Sequence, residues 1–128
     1  MKTLLCSAAL ALLIAAPASA QTVSLVGTWV GERDRMAKVE GRRAGQATLV
    51  ITEQQGHAFK GHLKRSNTTG DEQEPLWGAS APDGRLMMGA DEEGTYIFTL
   101  INPDTLDYCY SEAGAKARAV CGRLLRQR

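Results

Sequence analysis

Three tyrosines in the last third of the chain have the type and spacing of a binding wall. Tyr108 and Tyr110 are two residues apart and so share one face of a strand, and Tyr96 lies in the apolar run before them. A tyrosine combines an apolar ring with a polar tip that orients a small molecule. The same three residues suit a filled core equally well, and the sequence leaves both interpretations open. The predicted ligand-binding residues are Trp29, Tyr96, Tyr108, Tyr110, Glu112 and Arg118.

The cysteine spacing indicates how the strands that carry these tyrosines pair. If the segment Thr105–Leu124 folds back about Ala115, Cys109 lies opposite Cys121 and Asp107 lies opposite Arg123. The glutamate and arginine of the predicted site then also face each other beside the turn. A slip of one residue would send every side chain to the wrong face, so this alignment is strongly specified. We expect a disulfide on the outer face and the tyrosines inside.

Other residues with catalytic or metal-binding chemistry form no convincing group. His57 and His62 are an odd number of residues apart, which places them on opposite faces of a strand. Asp91, Glu92 and Glu93 are typical of a solvated turn rather than of a paired-carboxylate site. With no thiol left over and no serine–histidine–aspartate pattern, we expect no enzyme activity, no metal and no cofactor.

A charged stretch, Glu32–Gly45, is too long for a tight turn and is predicted to be a loop. Its basic residues outnumber its acidic ones, which suits a mobile lid or a partner-docking loop, because function collects on the loops of rigid folds. A solvated loop that pairs its own charges is the alternative. The predicted partner-contact residues are Arg33, Arg35, Arg42, Arg43 and Trp77.

The first twenty residues have the pattern of an export signal. Lys2 precedes the apolar run Leu4–Ala16, and Ala18–Ala20 resembles a cleavage site, which leaves residues 21–128 as one domain. Removing this segment removes Cys6 and leaves an even number of cysteines, as expected in an oxidising compartment. The short, alanine-rich signal is typical of bacteria, so we expect a periplasmic or secreted protein.

Charge and hydropathy exclude two classes of partner. The chain has 15 basic and 14 acidic residues, whereas nucleic-acid binding usually needs a net basic face. Beyond the signal there is no second long apolar run, so stable membrane insertion is not expected. The remaining partners are a small molecule or another exported protein.

Short strand-like runs separated by turn signals recur along the chain, and a polar loop is predicted over Ser66–Glu74. Many short strands at regular spacing predict an all-β fold, an eight-stranded antiparallel up-and-down barrel, because closure removes unpaired sheet edges. The last two of the eight strands form the disulfide hairpin. The other six are Leu25–Gly31, Ala47–Glu53, His57–Arg65, Pro75–Ala81, Arg85–Asp91 and Thr95–Ile101.

The segment Leu25–Trp29 resembles the Gly-x-Trp opening of the calycins, the avidin and lipocalin barrels. The resemblance implies a barrel with Trp29 plugging one end. Avidins line their biotin pocket with several tryptophans in later strands, where this chain has tyrosines, so biotin binding is not implied. Small bacterial inhibitors of proteases and lysozyme open similarly, but their cysteine placement differs.

From these patterns we expect an exported, non-enzymatic barrel that binds a small ligand at its mouth. The alternative is an inhibitor or interaction module that acts through exposed loops.

Overall fold

The computed structural model describes residues 23–67 and 70–128, and these form one closed antiparallel barrel of eight strands. Each strand pairs with the next, and the last pairs with the first. The predicted fold class is therefore confirmed, whereas the predicted signal segment lies outside the described residues. The strands are β1 (Gly27–Ala37), β2 (Gly41–Gln55), β3 (Ala58–Asn67), β4 (Gly70–Ser80), β5 (Leu86–Ala90), β6 (Thr95–Asn102), β7 (Thr105–Glu112) and β8 (Arg118–Arg126).

Alternating side chains fill the interior, as a period of two requires in a half-buried strand. In β6, Tyr96, Phe98 and Leu100 are buried while Ile97 between them is exposed. Gly31 in β1 permits a close approach of β8, because a Cβ atom there would lie 1.8 Å from the carbonyl oxygen of Arg123. In the part of the chain that is described, no helix has the length and hydropathy needed to cross a bilayer.

The C-terminal hairpin has the predicted register at every position from β7 to β8. Cys109 and Cys121 form a disulfide and are exposed, and the Arg123 guanidinium binds the Asp107 carboxylate at 2.6 Å on the same outer face. All three tyrosines are buried inside the barrel. The prediction of one alignment with sulfur outside and tyrosine inside is confirmed.

Two predicted loops are wrong. The stretch Glu32–Gly45 is mostly strand, since β1 continues to Ala37, β2 begins at Gly41, and only residues 38–40 form the turn. The predicted polar loop Ser66–Glu74 is likewise largely the adjoining ends of β3 and β4. In the first stretch, charged side chains were interpreted as solvent-exposed loop, although they alternate between the inner and outer faces of regular strands.

One end of the barrel is closed by the segment that precedes β1. Trp29 is fully buried there, and its indole Nε1 donates a hydrogen bond to the carbonyl oxygen of Leu25 at 3.0 Å. The Arg126 guanidinium lies 4.1 Å from the centroid of the Trp29 ring. Its Nη2 also donates to the Ser24 carbonyl at 2.6 Å. Trp29 thus plugs the barrel as the resemblance implied, and we call this region the sealed end.

Candidate functional site

The opposite end of the barrel, which we call the open end, holds a cavity of about 620 Å³. Its walls come from β1, β3, β4, β7 and β8 and from the turns that connect strands at this end. The apolar part of the wall is small, only Ala37 and Val39, and the other lining residues are charged or amide-bearing: Arg35, Glu40, Arg65, Gln73, Glu74, Glu93, Glu112, Lys116 and Arg118.

Arginines occupy inward positions where a barrel of this size normally has apolar side chains. We define the arginine cluster as Arg33, Arg35, Arg65 and Arg118. The first three have relative exposures of 5%, 9% and 5%, and the side chain of Arg118 is 13% exposed. Burial lowers the pKa of Arg33, and the positive charges of the other three arginines lower it further. The cluster therefore concentrates positive charge inside the open half of the barrel.

Carboxylates neutralise much of this charge through single contacts. Arg35 Nη2 binds Glu40 at 2.5 Å, and Arg65 Nη2 binds Glu74 at the same distance. The Nε atom of Arg118 lies 2.9 Å from the Glu112 carboxylate on the neighbouring strand, as the hairpin register predicted. Arg33 lies deeper and donates to backbone instead, with Nη2 to the Ser66 carbonyl at 3.2 Å.

The three tyrosine side chains are buried inside the barrel and are not among the residues that line the cavity. The hydroxyl of Tyr110 donates towards Glu112 at 3.2 Å, and those of Tyr110 and Tyr96 lie 3.4 Å from Asp91. The rings of Tyr96 and Tyr110 pack with centroids 4.6 Å apart. Burial raises the pKa of Tyr108 to about 12, and it also raises the pKa values of Tyr96 and Tyr110. The three hydroxyls are therefore neutral near pH 7.

Glu74 and Asp91 form an interacting pair of carboxyl groups between the arginines and the tyrosines. Burial raises the pKa of Glu74, and its proximity to Asp91 raises it further. Burial also acts to raise the pKa of Asp91, but the backbone N–H groups of Glu93 and Gly94, which donate to Asp91 at 2.8 and 2.7 Å, outweigh it and lower this pKa. Of the two, Glu74 is the group that holds a proton more readily.

The structure divides the predicted ligand-binding residues between the two ends. Glu112 and Arg118 line the cavity, the three tyrosines are buried in the barrel without lining it, and Trp29 lies at the sealed end. Trp29 is therefore separated from this cavity, because its indole is enclosed by Leu25 and Arg126.

The predicted partner-contact residues are divided in the same way. Arg33 and Arg35 are buried in the barrel, so the prediction that they lie on an exposed docking loop is wrong. Arg42 is exposed and pairs with Asp34 on the outer face, Arg43 is partly exposed beside Glu40, and Trp77 is 51% exposed on the outer face of β4. A partner-contact role for these three stays a prediction.

Among the charged residues inside the barrel, sequence reasoning missed Arg65, Glu74 and Asp91. The signal for the first two was present, because Arg65 continues the inward phase of Leu63, and Glu74 continues that of Leu76. Asp91 was recognised only as a turn residue. Within the described residues, no group of three or more histidine, cysteine, aspartate or glutamate side chains is arranged to hold a metal ion.

Comparison with known proteins gives a fold but no family. No protein-family model and no curated protein matches the chain. Among solved structures, the S-type phycobiliprotein lyase CPES from Guillardia theta is similar at 10% identity, with a TM-score of 0.57 over 81% of this chain and 89% of that one. The redesigned β barrel b11L5F_LGL is 14% identical, with a TM-score of 0.56 over 81% of this chain and 92% of the design.

A third similar structure is the barrel EF1p2_mFAP2b bound to DFHBI, which is 14% identical, with a TM-score of 0.56 over 80% of this chain and 94% of that one. At these identities the likeness shows the fold alone. The class defined by the fold is the small closed β barrel, consistent with the calycin-like architecture that the opening segment resembles.

Proposed function

We propose that this protein is an exported, non-enzymatic barrel that binds a small molecule in the cavity at its open end. The observation that carries the proposal is the contrast between the two ends: Trp29 closes one, whereas a cavity of about 620 Å³ occupies the other. That volume lies in the range of roughly 300–1,000 Å³ that is usual for small-molecule sites. The similarity to a barrel that binds DFHBI supports the capacity of this architecture to hold a ligand.

The residues around the cavity also support binding rather than structural filling. Buried charged side chains stabilise a fold poorly, because their desolvation offsets much of their attraction. They do suit a site, where a few fixed polar groups orient a ligand against rigid strands. Export is supported by the disulfide between Cys109 and Cys121, which is compatible with an oxidising compartment, and by the signal-like pattern of residues 1–20.

Native mass spectrometry of the protein purified from the exported fraction of its own cells tests this proposal. We expect a retained molecule that is released on denaturation. The variant Ala37→Trp places an indole in the cavity wall and should abolish retention, whereas Ala44→Trp adds the same group at an exposed position of the same hairpin and should not. Absence of any retained molecule, or equal retention in both variants, would contradict binding in this cavity.

The second candidate, an inhibitor or interaction module, is favoured by an apolar patch on the outer face of the barrel. Met88 and Ile97 are paired in register across β5 and β6, and both are about half exposed, as are Trp77 and Leu86 nearby. Inhibition of lysozyme and trypsin by the purified protein tests this candidate. Inhibition lost in Trp77→Ala but kept in Ala37→Trp would favour it over small-molecule binding.

A further inference from the structure

We propose that the ligand of the open-end cavity is a small polar oxyanion, a molecule whose carboxylate or phosphate group is bound by Arg35 and Arg118 of the arginine cluster. This inference rests on the proposed function, because it names the chemical class that the same cavity selects. It follows from three independent features: unpaired donors, the balance of buried charge, and the shape of the apolar core.

The first feature is a surplus of buried hydrogen-bond donors. Each guanidinium carries several N–H groups and no acceptor. In the described part of the chain, Arg35 Nε and Arg33 Nη1 are buried without an acceptor, and so is the hydroxyl of Tyr108. The side chain of Arg35 is only 8% exposed and yet lines the cavity. Buried donors are normally satisfied, so a ligand that supplies an oxygen acceptor to Arg35 Nε completes this site.

The second feature is the balance of charge. In the described part of the chain, the arginine cluster is grouped with the carboxyl groups of Glu74, Asp91 and Glu112, whereas Glu40 is half exposed at the rim. Burial raises the pKa of Glu74, which favours its neutral form. The other three arginines of the cluster disfavour the charge of Arg33, and an incoming oxyanion would relieve that repulsion. A planar guanidinium matches the two oxygens of a carboxylate or phosphate better than any neutral group.

The third feature is the packing below the cluster, which excludes a long apolar ligand. Leu63, Phe98 and Leu124 fill the middle of the barrel, each with 2% exposure or less. The apolar wall of the cavity is limited to Ala37 and Val39. An acyl chain would have no apolar channel to occupy, so the oxyanion must belong to a compact polar molecule.

Amide chemical shifts from two-dimensional NMR test the inference at constant ionic strength. The probes are inorganic phosphate and citrate as oxyanions, glycerol as a neutral polar molecule, choline as a cation and laurate as an acyl carboxylate. We expect phosphate and citrate to shift the amides of Val39, Gln73 and Lys116 saturably, and the other three probes to leave them unchanged. Arg35→Gln should weaken citrate binding by at least about tenfold, since charge-assisted bonds to guanidinium are strong.

Arg42→Gln is the matched control, because Arg42 lies on the same hairpin and is also paired with a carboxylate, but its side chain is 68% exposed on the outer face. It should bind citrate like the wild type. If Arg35→Gln fails to fold, Arg118→Gln replaces it, and its expected effect is the same. Circular dichroism reports folding for each variant.

The outcomes separate this inference from the proposed function. Saturable shifts with glycerol or choline but not with the oxyanions would overturn the oxyanion inference and leave small-molecule binding intact. Equal weakening in Arg42→Gln would overturn it too, since the effect would then be one of net charge. Retention of a neutral molecule in native mass spectrometry would overturn it independently, whereas retention of nothing would contradict the proposed function itself.

Discussion

Replacing Arg126 with methionine should loosen the sealed end of the barrel while leaving its hydrophobic contacts in place. The Arg126 guanidinium lies over the ring of Trp29, and its side chain is only 11% exposed. It donates from Nη1 to the carbonyl of Val26 at 3.2 Å and from Nη2 to those of Ser24 and Pro103 at 2.6 and 3.0 Å. One side chain therefore ties the segment before β1 to the turn between β6 and β7.

The expected loss can be estimated from these contacts. The three carbonyl groups can bind water in the variant, so the net contribution of each hydrogen bond to stability is taken at the low end of its usual range, about 0.5 kcal/mol. A partly desolvated cation over an indole contributes about 1 kcal/mol more. Methionine keeps most of the apolar area on Trp29. Together these values give a decrease of roughly 2–3 kcal/mol in the free energy of unfolding for Arg126→Met.

Urea unfolding, followed by tryptophan fluorescence and far-ultraviolet circular dichroism, measures this loss. Arg128→Met is the control, because Arg128 pairs with Asp104 at 2.5 Å but its side chain is 72% exposed, and such a surface pair contributes less than about 1 kcal/mol. Arg126→Lys keeps the positive charge but lacks the planar guanidinium with its several donors, so its loss of unfolding free energy should lie between those of the two methionine variants. If Arg126→Met unfolds with the same midpoint and slope as Arg128→Met, the account of the sealed end is refuted.

Three further predictions concern the tyrosines, the disulfide and Glu74. Absorbance at alkaline pH should show no tyrosine ionising near about pH 10 in the folded protein but normal ionisation in urea, because burial raises the pKa of Tyr108 to about 12 and those of the other two as well. The contribution of the tyrosines to stability is then complete below about pH 10 and decreases as the pH rises through their pKa values in the folded protein. Ionisation near pH 10 without unfolding would contradict this expectation. The double variant Cys109→Ser/Cys121→Ser should have a free energy of unfolding about 3 kcal/mol lower than wild type on the chain-entropy model. The wild-type protein with its disulfide reduced should show the same loss. No change in either protein would show that the hairpin does not depend on the disulfide for stability. The pKa of Glu74 is raised in the folded state, so its favourable contribution to stability is present below its unfolded pKa and is lost as the pH rises. Glu74→Gln should therefore become more stable relative to wild type between about pH 4.5 and pH 7. An opposite trend would refute the assignment of the proton to Glu74.

The hairpin could be predicted residue by residue because several local signals agreed. The cysteine pair, the Asp107–Arg123 pair and the alternation of apolar residues all specify one register, and the structure has that register. Barrel closure was also predictable, since eight short strands in a chain of this length have few other ways to bury their inner faces. The fold class could therefore be predicted, because several local sequence patterns independently indicate it.

The open half of the barrel could not be predicted in the same way, because its inner faces carry charge. Arg33 and Arg35 alternate with Asp34 in the pattern of a strand, but a charged run normally indicates a solvated face. Only closure of the barrel places Arg35 around one cavity with Glu74 and Glu112, which come from distant parts of the sequence. Which end is sealed and which holds a cavity depends on the same long-range assembly.

The charged interior supports the proposal that the open half of the barrel binds a ligand. Apolar residues of similar volume at the positions of Arg33, Arg35 and Arg65 would usually give an equally stable or a more stable barrel, because a buried ion pair gains little over a well-packed hydrophobic contact. The sealed half follows that rule, with Leu49 and Ile51 almost completely buried. A chain that obeys the rules of core packing in one half and departs from them only where a cavity opens has the arrangement expected of a functional site, since local rules are broken where function requires it.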